Sequence, residues 1–272
     1  MLELKTQSFV LEKNPGYHDE GYLLLLTRDN GLIWVLGNGI WKSGAKLSAW
    51  SDPPALVEAN LILHEKQNFS SKLLNFTPIS YFSHIRTSYE NFCQFYFYVF
   101  VVKHFLPLAV PNIRLFLTLQ EVLSCKDWDN ETQKNINFAY FLTNALDSEG
   151  LCPDWKRCIE CQKEFQEECY FIASGEQGFL CKDCLSRKIK QHPFLKQRIS
   201  LEFLKILPEK YHLQFPEGVI RIKPQEREAL QTIREKGDLK TIFAKLNSSS
   251  KINDQTIKKV LNFLLLFLGT TL

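Results

Sequence analysis

The sequence predicts an α+β protein, with short N-terminal strands in a small barrel or sandwich, then a helical domain carrying a four-cysteine module. Three observations predict it. Five short apolar runs separated by turn signals fill residues 1–80. Longer apolar runs with helical spacing follow from residue 81 onward. Two Cys-x-x-Cys pairs then interrupt the helical pattern within residues 150–186.

The strands are expected at Lys5 to Leu11, Tyr22 to Thr27, Leu32 to Leu36, Ala55 to Leu63 and Ser71 to Thr77. The run from Tyr22 to Thr27 is apolar enough to be buried on both faces. Between it and the next run, Arg28-Asp29-Asn30-Gly31 is a turn signal, because glycine takes positive φ without steric cost. Gly37, Gly39 and Gly44 mark a loop that also carries Lys42 and Lys46, and Asp52-Pro53-Pro54 is a second break. Five strands in so short a span suit a small closed sheet.

After Ser80 the apolar run from His84 to Leu106 is too long for a strand and predicts one helix. Pro111 fits the first turn of a second helix that ends near Ser124. Asn130 to Leu146 predicts a third, with Phe138, Phe141 and Leu142 on its core face. Further helices are expected at Cys184 to Gln191, Ile199 to Leu207, Pro224 to Glu235, Leu239 to Leu246 and Asp254 to Leu268, with a polar stretch around Pro216.

Cys158 and Cys161 form the first pair, Cys181 and Cys184 the second, with nineteen residues between them. A two-residue gap lets paired thiolates reach one ion from a tight turn, and the long gap lets a hairpin bring back the second pair. Four thiolates complete a tetrahedron, so one structural zinc ion is the expectation and no position is left for a reacting water. An iron–sulfur cluster uses the same ligand set, and a redox-active pair is a further reading of each Cys-x-x-Cys alone. Cys152 and Cys169 belong to neither pair and are expected to pack normally, and Cys93 and Cys125 to be core.

Nothing in the sequence assembles a catalytic constellation. The six histidines fall in no metalloprotease pattern, and no P-loop or nucleophile elbow is present. The chain is therefore expected to bind and not to catalyse. No secretory signal opens it, and its apolar runs are interrupted or short for a membrane span, so an intracellular, reducing compartment is expected. Residues 1–80 hold seven Lys/Arg against eight Asp/Glu, whereas residues 185–272 hold seventeen against eight. A basic C-terminal part suits a polyanionic partner, or else a set of solvated helix faces. Arg187, Lys188, Lys190, Lys196 and Arg198 cluster just after the second cysteine pair. Trp34, Trp41 and Trp50 lie in or beside the glycine loop, and Trp41 with Lys42, Lys46 and Arg28 is the combination that stacks on bases while following phosphates.

The order of these parts resembles the RecO recombination-mediator family. Local strings agree with it: Leu25-Leu26-Thr27-Arg28-Asp29-Asn30-Gly31, Val57-Glu58-Ala59, Cys158 and Cys161 followed by Gly178, Cys181 and Cys184, and Phe267-Leu268-Gly269. The resemblance implies an OB-fold barrel over 1–80 and a helical domain over 81–272 with an inserted zinc module at 150–186. It also implies binding of single- and double-stranded DNA, annealing of complementary strands and no catalysed reaction. Partnership with RecR and with single-stranded DNA-binding protein follows, so that recombinase loads onto covered strands, in the bacterial cytoplasm at the nucleoid. Arg28, Trp41, Lys42, Lys46, Arg187, Lys188 and Lys190 are the expected DNA contacts. The glycine loop departs from the family's cation-rich pattern at Asn38, Trp41 and Gly44. Removing one cation from a phosphate lowers the salt slope by about one, which shifts weight onto Trp41 stacking and the C-terminal cluster.

Overall fold

The structure is a computed structural model that describes residues 2–63, 71–172, 178–191, 198–199, 219–235 and 237–271. Most of the stretch expected as a helix at Ile199 to Leu207, and the polar stretch around Pro216, lie outside them. The chain forms two compact units, Met1–Asp129 and Asn130–Leu272.

The first unit is built on five strands: β1 (Leu2–Pro15), β2 (Gly21–Thr27), β3 (Gly31–Gly37), β4 (Ala55–Leu63) and β5 (Ser71–Ser80). They close into a barrel in the order β1-β2-β3-β5-β4. All neighbours are antiparallel except β3 and β5, whose parallel pairing at Val35 to Gly37 seals the barrel. β1 serves two neighbours. Its first part pairs with β4 and its second with β2, and a register shift between Val10 and Glu12 bends it from one to the other. Alternate residues point inward, as strand geometry requires. Leu23, Leu25, Ile33, Val35, Val57, Ala59 and Leu61 fill the interior.

Phe9, Leu11, Leu24, Leu26 and Leu32 are buried as well. The outer face they form lies under the helices that follow: the Phe9 ring packs 4.9 Å from Phe116 and 6.1 Å from Phe82, centroid to centroid. Hence β2 is apolar at consecutive positions, as its composition predicts. The expected single helix is two, α1 (Ser83–Arg86) and α2 (Tyr89–Phe105). Ser88 between them takes extended backbone, and its hydroxyl accepts from the Asn91 N–H at 3.4 Å, so an N-cap splits the apolar run. α3 (Ile113–Ser124) starts from Asn112, whose side chain accepts from the Leu115 N–H at 2.9 Å, so Pro111 lies just before the cap. Cys93, expected in the core, is exposed on α2, because that helix is apolar around its whole circumference and one side faces outward.

The second unit holds α4 (Glu131–Ser148), α5 (Lys182–Gln191), α6 (Pro224–Arg234), α7 (Leu239–Ser248) and α8 (Asp254–Thr271). α4 packs against α6, α7 and α8 and buries every residue from Ile136 to Leu146, including the expected core residues Phe138, Phe141 and Leu142. A four-stranded sheet that the sequence does not announce accompanies these helices, in the order β7 (Phe179–Leu180), β6 (Cys169–Ile172), β9 (Val219–Ile222), β8 (Arg198–Ile199). Ile199 is thus in a strand. The sheet and α8 meet in a ring cluster: Phe171 and Phe179 lie 5.3 and 5.6 Å from Phe263, and Trp155 lies 5.2 Å from Phe179. Among the described residues no helix is long and apolar enough to cross a membrane.

Candidate metal centre and nucleic-acid interface

Cys158 and Cys161 stand on a tight turn. The Cys158 N–H donates to the Lys163 carbonyl at 3.0 Å, the Gln162 N–H to the Cys158 carbonyl at 2.9 Å, and Gln162 takes a φ of 59° to close it. Cys181 directly precedes α5, and Cys184 lies in the first turn of that helix. The Ile159 N–H donates to the Phe179 carbonyl at 2.9 Å, which ties the turn to β7 and so to the second pair. Gly178 lies against Ile159, where a Cβ would meet the Ile159 side chain at 2.6 Å.

The four sulfurs all lie within 4.8 Å of one another, and Cys161 Sγ is 3.8 Å from Cys181 Sγ. A tetrahedral ion with metal–sulfur bonds of ~2.3 Å needs ligand separations of ~3.8 Å. The donor set therefore fits a single tetrahedral ion. A multi-iron cluster seats its thiolates on separate irons and spreads them wider. Cys158 and Cys184 are buried, and Cys161 and Cys181 half-buried. Burial raises the Cys158 thiol, but the N–H groups of Cys161, Cys181 and Glu160 outweigh it and draw the group down to about 7. Burial pushes Cys184 up to about 12, and the Arg187 guanidinium works against that. Cys152 and Cys169 stand outside the cluster. Cys169 is buried in β6, where burial pushes its thiol up to about 12.

The basic residues after Cys184 divide. Arg187 Nη2 donates to Cys184 Sγ at 2.9 Å, and Lys188 Nζ is 3.3 Å from Glu160 Oε1 with its side chain largely buried. Both reach the cysteine module, Arg187 from an exposed position and Lys188 from a half-buried one. Lys190 is exposed on α5. Lys196 lies outside the described residues.

At the barrel, Trp41, Lys42 and Lys46 are exposed together on the loop between β3 and β4. The Trp41 N–H donates to the Asp19 carbonyl at 3.3 Å, which sets this loop beside the turn joining β1 to β2, where Tyr17 and His18 are also exposed. Trp34 is half-buried on β3. Trp50 packs edge-on against Tyr81 at 5.2 Å and is a support for the loop. That loop returns to the barrel under a clamp: Arg86 donates to the carbonyls of Asp52 and Pro54 and, at 2.8 Å, to the Tyr81 hydroxyl.

A sequence model described as recombination protein O C terminal matches residues 97–236, half of the chain. The chain belongs to the RecO family. Proteins named DNA repair protein RecO are similar to it over longer spans. That of Dehalococcoides mccartyi is 26% identical over 187 residues, covering 69% of this chain and 72% of the relative. That of Caldanaerobacter subterraneus subsp. tengcongensis is 22% identical over 251 residues, covering 92% and 99%. That of Bacillus pumilus is 22% identical over 235 residues, covering 85% and 86%.

Within the first unit of this RecO-family chain the expected DNA contacts stand at two ends of the barrel. Arg28 is exposed but sits on the turn from β2 to β3, at the far end of β3 from the Trp41 loop. The six steps from Gly31 to Gly37 at ~3.3 Å each put the two ends ~20 Å apart. One residue that matters at the loop is silent in the sequence. Lys13 lies under Trp41 and pairs with Asp52 at 2.8 Å; its place on β1 becomes visible only once β1 and the loop after β3 are brought together.

Proposed function

We propose that this RecO-family chain is a non-catalytic mediator of DNA repair and recombination in the bacterial cytoplasm. In this reading it binds single- and double-stranded DNA and anneals complementary strands. Together with RecR it helps recombinase load onto strands covered by single-stranded DNA-binding protein. The observation that carries the reading is the loop after β3, where an exposed tryptophan and two exposed lysines lie together at one end of a five-stranded barrel. Aromatic rings stack on bases of any sequence while lysines neutralise phosphates. Lys42 and Lys46 would meet phosphates, Trp41 would take a base, and exposed Lys190 would add a cation on the second unit. Arg28 would meet duplex or strand only at the opposite end of the barrel. One zinc ion held by Cys158, Cys161, Cys181 and Cys184 would fix the turn, β7 and α5 as a unit, a structural role that leaves no open coordination position.

The test is single-stranded DNA binding across a salt series, paired with an annealing assay with and without single-stranded DNA-binding protein. The reading expects strong salt dependence, and expects Lys42→Glu with Lys46→Glu to lower the slope by about 1.4, at roughly 0.7 per phosphate. Binding that is absent at low salt would favour a zinc-stabilised scaffold that meets only proteins, a reading consistent with the contacts that Arg187 and Lys188 make to Cys184 and Glu160.

A further inference from the structure

Trp41 is 46% exposed and yet held on three sides. Its backbone N–H bonds to the Asp19 carbonyl. Its Nε1–H donates to the Asn14 carbonyl at 3.4 Å, and the same edge lies over Gly21, where a Cβ would meet Nε1 at 2.5 Å. The Lys13 ammonium sits over the ring, 4.3 Å from its centroid. That ammonium is closed in, because the Lys13 side chain is only 8% exposed and its charge meets Asp52 at 2.8 Å. The exposed part of Trp41 is therefore the face away from Lys13.

Two consequences follow from this stack. A lysine at the mouth of a nucleic-acid-binding barrel ordinarily serves as a phosphate contact. This one is paired, covered and turned into the ring, so it has no free charge to offer. Its attraction to the indole face is a cation–π contact, strengthened by desolvation, and it acts with the Nε1–H bond to Asn14 to set the plane of the ring.

We propose that Lys13 is a positioning residue for the barrel's stacking surface: with Asp52 it holds Trp41 flat against β1 and β2, so that one nucleobase stacks on the single outer face. The inference rests on the nucleic-acid reading of the loop after β3 and adds a residue that reading does not contain.

The experiment measures binding of a fluorescein-labelled oligothymidylate by the full chain over a salt series. It compares the unaltered protein with Lys13→Met, Lys13→Arg, Trp41→Ala and the Lys13→Met/Trp41→Ala pair. Trp41→Ala is expected to weaken binding roughly five- to hundredfold, the range for one stacked base. Lys13→Met is expected to weaken it roughly three- to thirtyfold, the range for a cation on an indole from exposed to desolvated, with the salt slope unchanged. Lys13→Arg keeps a cation over the ring and is expected to restore binding. In the Trp41→Ala background, Lys13→Met is expected to cost nothing further. In the free protein, acrylamide quenching of the Trp41 signal is expected to rise in Lys13→Met, which reads the ring's position without DNA; that signal is the difference from Trp41→Ala.

A lower salt slope in Lys13→Met, or the same loss in both backgrounds, would make Lys13 a phosphate contact and overturn the inference. Unchanged affinity and quenching in Lys13→Met would overturn it too. If the unaltered chain binds no oligothymidylate at low salt, the reading of the loop itself falls, and this inference with it; the quenching result then stands alone as a statement about packing.

Discussion

Arg187 stands one helical turn after Cys184 on α5, and its guanidinium donates to the Cys184 sulfur across 2.9 Å. The residue beside it, Lys188, reaches Glu160 on the turn that carries the first cysteine pair. Four thiolates carry two more negative charges than one divalent ion neutralises. These two cations are placed to offset that excess, and Lys188 also bridges the two halves of the ligand set.

The first prediction follows from that placement. Arg187→Ala should lower zinc affinity roughly 10- to 100-fold, the usual cost of removing a partner that holds a metal ligand. Competition with a chromogenic chelator measures it. The salt slope of DNA binding should stay the same in Arg187→Ala, while Lys190→Glu should lower it. A fall of the slope in Arg187→Ala with metal affinity intact would return Arg187 to the DNA surface.

Removing an ion held by the four cysteines should unfold the module around them. Cys181→Ser, or chelation of the native protein, releases the turn at Cys158, the short strand β7 and the start of α5 together. Trp155 reports the event, because it is buried beside Phe179 and Phe263. Its emission should shift to the red and faster proteolysis should appear within residues 150–191. An unchanged Trp155 spectrum after complete metal loss would show that the sheet and α8 hold the module without an ion.

Much of the fold is legible from residue order, and what escapes does so for physical reasons. The five barrel strands show because burial on one face leaves a two-residue period, and the β2 run shows because it is buried on both faces from Leu23 to Thr27. The break at Ser88 is hidden, since one capping hydroxyl sits inside a long apolar run. The sheet around Cys169–Ile172 is hidden because strands of two to four residues are too short for any period, and their partners are far apart in sequence. The cysteine cluster is legible because thiolate spacing is a local property. The DNA surface is the least legible part. Charge in a sequence does not say which cations are already spoken for, and only packing shows that Arg187, Lys188 and Lys13 each meet a partner.

Gly31 gives a backbone test of the first unit. It takes a φ of 71°, and a Cβ there would lie 2.0 Å from the Val110 carbonyl oxygen. That carbonyl cannot withdraw freely, because the neighbouring Ala109 N–H donates to the Leu32 carbonyl at 2.9 Å. Gly31→Ala combines left-handed strain, about 1–3 kcal/mol, with displacement of the linker between α2 and α3. Urea denaturation should show a loss of at least that size. A loss under about 0.5 kcal/mol would mean that the linker moves aside at little cost.

The last prediction concerns acid. Arg221 on β9 donates to the Glu168 carboxylate beside β6, and the Tyr170 hydroxyl donates to it at 3.2 Å. The Arg221 hydrogen bond, against a smaller opposing effect of burial, holds the Glu168 carboxyl below its ordinary value. A carboxyl with a depressed folded value binds fewer protons folded than unfolded. Its contribution to stability is complete above the unfolded value of about 4.3, and is lost as pH falls through the lower folded value. Glu168→Gln removes the charge at every pH. The variant should therefore be less stable than the native protein near pH 7, by a small margin because the pair is partly exposed. The two should converge as pH drops below about 4. Urea midpoints across that range decide it: parallel curves would show that the pair adds nothing that depends on the charge of Glu168.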